Sequence, residues 1–181
     1  MRIANFEFKV KVDNLDELED HLRKLNPRYV GEDYQTDTYF QVEEGRLKLR
    51  QGNIENSLIH YNRENVAESK LSEVTLYRTE CPHDLKDTIS KVLPIRVIVN
   101  KVRKIYFVDN VKFHFDKVEG LGEFLEVEAI DDSSKFSSEE LKGQCNKYFQ
   151  YFELDKDQLI DLSYSDLLYN KSKNKTEYNS T

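Results

Sequence analysis

The chain carries two cysteines, Cys81 and Cys145, far apart and without a CxxC pair. That spacing excludes a disulfide framework and a zinc site, and leaves a reduced protein with two ordinary thiols as the expectation. No apolar run approaches the roughly 20 residues that cross a bilayer as a helix, so no membrane partner is expected. Met1-Arg2-Ile3-Ala4-Asn5 introduces charge before any apolar stretch, which is unlike a secretory signal, and a cytoplasmic location is the expectation. Basic excess is also missing. The formal net charge is -7, against a duplex nucleic-acid partner but not against a small anion held by a local basic cluster. With only 3 prolines and 6 glycines there is no linker and no repeat, so the 181 residues read as one domain. Nothing in the sequence sets the oligomeric state.

What is present is charge, at 34% of residues against 38% hydrophobic, less apolar than an ordinary globular domain. Tyrosine (11) and phenylalanine (10) make up part of the missing core weight. Such a chain folds with much polar surface or with a polar interior.

Most segments read as strands. Residues 3–12 alternate strictly, with Phe6, Phe8, Val10 and Val12 on one face and Asn5, Glu7, Lys9 and Lys11 on the other. Arg46-Leu47-Lys48-Leu49-Arg50 alternates again, and further strands are predicted near 37–43, 56–63, 70–78, 97–107, 111–118 and 123–130. Helices are fewer. Asn14 with Glu17 caps one whose apolar stripe is Leu15, Leu18, Leu22 and Leu25, and Asn26-Pro27 ends it. Ser137 with Glu140 repeats the capping pattern ahead of Leu141, Cys145, Tyr148 and Phe152. Other helices are predicted over 84–92, 155–160 and 164–170. Residues 170–181 are polar and aperiodic and read as a disordered tail beyond a domain of residues 1–169. Antiparallel strands with helices outside make an α+β domain on a large sheet or barrel.

Several strands have a charged face. Arg46, Lys48 and Arg50 share one, Lys101 and Arg103 another, Lys112, His114 and Asp116 a third, and Glu126 and Glu128 a fourth. An open sheet with one wet face predicts this pattern, and so does a barrel with a charged interior, because both have a period of two. Forked arginine donors suit phosphate oxygens, and clustered carboxylates suit a hard divalent cation. Together they make a site for a metal-bound polyphosphate.

The ordered series of strands resembles the CYTH, or triphosphate tunnel, superfamily, in its class IV adenylyl cyclase-like branch. Asn5-Phe6-Glu7-Phe8-Lys9 is similar to the family's Glu-x-Glu-x-Lys opening, with Asn5 in place of the first Glu. The segments Asp37-Thr38-Tyr39-Phe40, Gly45 to Arg50, Leu58 to Arg63, Ser69 to Glu73, Val102 to Tyr106 and His114 to Glu128 are similar to the family's later strands, and Ser163 to Leu168 is similar to the usual close of its domain. The likeness therefore covers residues 3–169. It implies an eight-stranded antiparallel β-barrel, a tunnel with charged walls and helices packed outside. Carried over by position, Glu7, Glu126 and Glu128 would be catalytic metal ligands with Asp116 beside them, for Mg²⁺ or Mn²⁺. Lys9, Lys48, Arg50, Arg63, Lys101 and Arg103 would bind the triphosphate, with Arg46 and Lys70 as further candidates, and His114 would face the tunnel or serve as a structural residue. The implied function is metal-dependent chemistry on ATP, thiamine triphosphate or inorganic triphosphate, by hydrolysis or by cyclisation of ATP. The alternative is a binding module without turnover, which Asn5 favours because its carbonyl can ligate a metal but brings no charge.

Overall fold

The computed structural model describes residues 2–62, 73–131 and 133–178. Eight antiparallel strands close into a barrel: β1 (Arg2–Val12), β2 (Arg28–Phe40), β3 (Arg46–Gln51), β4 (Ser57–Asn62), β5 (Glu73–Arg78), β6 (Ile95–Val108), β7 (Val111–Val118) and β8 (Gly122–Asp131). Their order around the ring is β1-β5-β4-β3-β2-β6-β7-β8, with β8 paired back to β1. Four helices accompany them: α1 (Leu15–Arg23), α2 (Pro82–Ser90), α3 (Ser138–Tyr151) and α4 (Tyr164–Tyr178). Among the described residues, no helix is long and apolar enough to cross a membrane.

The alternation of β1 resolves into an inverted barrel. Phe6, Phe8 and Val10 point outward and join Phe113, Phe115, Leu125 and Val127 of β7 and β8 under Leu15 and Leu22 of α1 and Leu141, Cys145, Tyr148 and Phe152 of α3. The dry core therefore lies between the barrel wall and the helices, and the charged faces of β1, β3, β6, β7 and β8 are left for the lumen, to which β4 and β5 add Ile59, Tyr61, Val74 and Leu76. Both helix starts are capped as the sequence predicts: the Asn14 side chain accepts from Glu17 N, and Ser137 and Glu140 form a reciprocal capping box. Asn26 stands at φ 50 after α1, a left-handed turn that asparagine tolerates.

One end of the lumen is filled. Tyr39, Val99, Val118 and Phe124 cluster around Tyr164 at the start of α4, backed by Val97 and Leu167. Ser163 turns the chain there, since its Oγ accepts from Asp166 N at 3.1 Å and donates to the Asp166 carboxylate at 2.9 Å. Two elements run well beyond the bounds the sequence predicts. β2 starts at Arg28 rather than near 37, and α4 runs on to Tyr178 rather than stopping near 170.

Candidate functional site

Strand register brings the charged positions together inside the barrel. Glu7 lies directly across from Glu128, and Lys9 across from Glu126. On the next pair Lys112 faces Glu128 and His114 faces Glu126. Arg103 pairs with Asp116, Asp37 with Arg50, and Gln35 with Lys101. These side chains surround a cavity of about 870 Å³ whose walls include Glu7, Lys9, Lys48, Arg50, Lys101, Arg103, Lys112, His114, Glu126 and Glu128.

The cations are held from behind. Asp37, 1% exposed, takes Arg50 side-on, with Nε to Oδ1 and Nη2 to Oδ2 both at 2.9 Å. Lys48 and Lys101 also donate to its Oδ2, at 3.2 and 3.4 Å. Asp116, fully buried, takes Arg103 in the same forked way and accepts the Tyr164 hydroxyl at 2.8 Å. Burial works against both carboxylate charges. Arg50, Lys101 and Lys48 nevertheless hold Asp37 well below the ordinary carboxylate range, and Arg103 and Lys101 lower Asp116. Neither aspartate lines the cavity. Their effect is to fix the guanidinium forks and leave other N–H groups directed at the lumen. Burial, with Arg103 and Arg50 nearby, pushes the Lys101 ammonium down to about 7 despite Asp37. The Lys9 ammonium is anchored on Leu162 O at 3.2 Å and lies 4.6 Å from the centre of the Tyr164 ring.

Beside Arg103, whose Nη2 donates to Glu126 Oε2 at 2.7 Å, lies an acidic cluster. His114, Glu126 and Glu128 offer donor atoms all within 4.8 Å of one another, a mixed oxygen and nitrogen set that fits a divalent metal. Burial, with Glu126 and Glu7 beside it, pushes the Glu128 carboxyl up to about 7, whereas Arg103 and Lys9 hold Glu126 well down against its burial. Burial with Arg103 and Lys112 close by pushes His114 down to about 3, so the ring is neutral. Asn5 donates to Glu7 Oε2 at 3.4 Å, and its own Oδ1 is buried without a hydrogen-bond partner among the described residues.

A further carboxylate enters from the β3–β4 loop. Glu55 accepts from Arg50 Nη1 at 2.8 Å and from Lys112 Nζ at 2.7 Å, bridging cations on opposite sides of the lumen. The loop is pinned by buried Asp33, which accepts from Ile54 N at 2.9 Å and Glu55 N at 3.0 Å. Gly52 permits that approach, since a Cβ there would stand 2.4 Å from Asp33 Oδ1.

Of the residues singled out in the sequence, Glu7, Lys9, Lys48, Arg50, Lys101, Arg103, Glu126 and Glu128 all line the one cavity. Asp116 sits behind Arg103 rather than among the lumen carboxylates. Arg46 lies at the filled end, paired with Asp166 of α4. Arg63 and Lys70 fall outside the described residues. Asp37, Glu55 and Tyr164 carry no role in the sequence reading, and Lys112 figures there only as one of a charged face.

The CYTH domain family profile matches residues 4–157. Over 177 residues the chain is 27% identical to the "Putative adenylate cyclase" of Methanocaldococcus jannaschii, covering 89% of this chain and 96% of that one. Among solved structures, the PH1012 protein of Pyrococcus horikoshii OT3 superposes with a TM-score of 0.80 at 21% identity, over 90% of this chain and 98% of its own. The Hippeastrum "Putative adenylyl cyclase HpAC1", which shows a dominant triphosphatase activity, superposes with a TM-score of 0.63 at 14% identity, over 95% and 96%. A closed eight-stranded barrel with its charges turned inward, together with a family match over most of its length, places this chain in the CYTH domain family.

Proposed function

We propose that the chain binds a triphosphate in its barrel together with a divalent cation, Mg²⁺ or Mn²⁺, and hydrolyses a phosphoanhydride bond. The observation that carries this reading is the division of the cavity wall. Lys48, Arg50, Lys101 and Arg103 line it on β3 and β6, two of them fixed by Asp37 and Asp116, while Glu7, Glu126 and Glu128 line it on β1 and β8. A linear polyanion fits against the first group, and the second would hold the metal. When bound, the metal would neutralise phosphate charge and polarise a phosphoryl oxygen.

The side chains themselves account for the rest. Arg50 and Arg103 are clamped before substrate arrives, so their donors orient the phosphates at little cost in side-chain entropy. Lys9, anchored on Leu162 O, adds a charge beside Glu126. Hydrolysis would use a water oriented by a carboxylate of this wall. Cyclisation of ATP is the second reading, favoured by the name of the M. jannaschii relative, and it would use the same clamp with the ribose 3′-hydroxyl as nucleophile. Binding without turnover is the reading that Asn5 favours, because it leaves the β1 end of the acidic group one charge short of the family pattern.

One experiment separates these. Pure protein with Mg²⁺ or Mn²⁺ is incubated with tripolyphosphate, thiamine triphosphate and ATP, and phosphate, pyrophosphate and cyclic AMP are assayed separately. Phosphate release from tripolyphosphate is the expected result. Stabilisation without any product marks a binding module, and the absence of both product and stabilisation refutes the tunnel reading. Ligand at about 100 times its dissociation constant adds roughly 2.7 kcal/mol of stability.

A further inference from the structure

Both ring nitrogens of His114 are buried, and neither has a hydrogen-bond partner among the described residues. Buried polar atoms are nearly always partnered, so a ring left in this state needs something to bind. Its Nδ1 lies 3.5 Å from Glu126 Oε2 and 3.7 Å from Glu128 Oε1. That is too long for a good N–H···O bond. Two donors bound to one cation at about 2.1 Å, and subtending 90–110° at it, lie roughly 3.0–3.4 Å apart. The two His114 spacings reach that range with shifts of a few tenths of an ångström, and the three donor atoms lie within 4.8 Å of one another; Glu126 Oε2 also accepts from Arg103 Nη2 at 2.7 Å, which leaves it a second lone pair for a cation. The donors stand on paired strands, with His114 directly across from Glu126, so the spacing is fixed by the barrel rather than by a loop.

We propose that His114 Nδ1 is a metal ligand beside Glu126 and Glu128, and that this one-nitrogen, two-carboxylate site selects a transition-metal dication such as Mn²⁺ or Co²⁺ over Mg²⁺. The proposal rests on reading the acidic cluster as the metal site of the triphosphate tunnel. Mg²⁺ keeps its waters and takes oxygen donors in a strict octahedron. An imidazole nitrogen adds affinity for transition metals, which rises from Mn²⁺ to Co²⁺ in the usual order. Glu126 and Glu128 alone would leave Mg²⁺ in contention, and His114 removes it.

The test needs no turnover. Metal-free protein is titrated calorimetrically with Mg²⁺, Mn²⁺ and Co²⁺ without triphosphate. Protein labelled with ¹⁵N-histidine and loaded with Mn²⁺ is examined by pulsed electron paramagnetic resonance. Expected are a directly coupled nitrogen that changes frequency with the label, and Mn²⁺ and Co²⁺ affinities at least about tenfold above that for Mg²⁺. His114→Ala should abolish the coupling and weaken Co²⁺ by roughly tenfold or more while changing Mg²⁺ little. The wild-type spectrum decides the matter even if that variant does not fold. Bound Mn²⁺ without nitrogen coupling, equal affinity for the three ions, or binding of none of them overturns the proposal. Metal-free stabilisation by tripolyphosphate is measured alongside. Protein stabilised by it whose Mn²⁺ shows no nitrogen has lost only the histidine ligand. Nitrogen-bound Mn²⁺ in protein that ignores tripolyphosphate upholds the metal site and removes the triphosphate.

Discussion

Asp37→Asn isolates the function of the buried aspartates. Asp37 is the anion shared by Arg50, Lys48 and Lys101, and it is 1% exposed. Removing one partner of a buried ion pair costs about 3–5 kcal/mol, because the other charge remains buried. The structure points to the low end of that range. Lys101 already releases its proton at about 7 and sheds it more readily once Asp37 is neutral. The Lys48 side chain, 13% exposed, has some access to water. Arg50 has neither escape, since a guanidinium does not deprotonate. An asparagine amide would also point N–H groups at its donors. A loss of about 3 kcal/mol lowers the melting temperature by roughly 6–12 °C in a chain of this size. The pH dependence has a definite sign. The carboxyl of Asp37 is held below its ordinary value of 3.8 by its cations, so its contribution is present above that pH and is lost as pH falls further. Wild type and variant should therefore converge in acid. Tripolyphosphate supplies the missing negative charge, so without metal it should stabilise Asp37→Asn more than wild type. Urea and thermal unfolding with and without tripolyphosphate measure both quantities. A loss under about 1 kcal/mol, or equal rescue of the two proteins, refutes the assignment.

The same geometry carries two further outcomes. Glu55 occupies donors of Arg50 and Lys112 that a phosphate would use, so Glu55→Gln should tighten metal-free tripolyphosphate binding about fivefold, or ~1 kcal/mol, by calorimetry; unchanged or weaker binding would show that Glu55 does not compete. Glu128 is protonated below about 7 in the metal-free protein, and a metal must displace that proton, so Mn²⁺ affinity should rise roughly tenfold per pH unit up to about 7 and level off above it, whereas a flat profile from pH 5.5 to 8.5 would remove Glu128 from the site.

Much of the barrel was legible because its strands alternate cleanly, as β1, β3, β7 and β8 do. Alternation gives the face a residue shares but not whether that face is inside. The resemblance supplied that direction, and the helices packed over Phe6, Phe8 and Val10 agree with it. The first half of β2 was lost for a physical reason. Its inward positions are Asp33, Gln35 and Asp37, while Tyr29 and Tyr34 stand 51% and 63% exposed on an outer face without a covering helix. Polar-in and aromatic-out looks like loop to any rule that places apolar residues inside. Asp37 was visible as a residue of the strand, but its partnership with Arg50 is a matter of cross-strand register, which no local pattern carries. Glu55 lies in a loop without periodicity, and its placement depends on Asp33, inside the part of β2 that was missed.

The anions of the lumen fall into two kinds, and the difference governs what binding must do. Asp37 and Asp116 lie behind the cations and outside the cavity wall, so a ligand in the lumen does not meet them. They orient Arg50 and Arg103 and cancel part of their charge, which lets these arginines stay buried. Glu55, Glu126 and Glu128 stand in the wall itself. A triphosphate entering alone gains Lys48, Arg50 and Lys101, but it must displace Glu55 and approach the Glu126–Glu128 pair, so its affinity is a difference between attraction and repulsion. A cation held by Glu126 and Glu128 changes the sign of that second term. The carboxylates that repelled phosphate then present a metal to it. Metal and triphosphate should therefore each tighten the other's binding by the same factor, as linkage requires. That reciprocity comes from the placement of the two charge groups around one cavity and needs no movement of the fold.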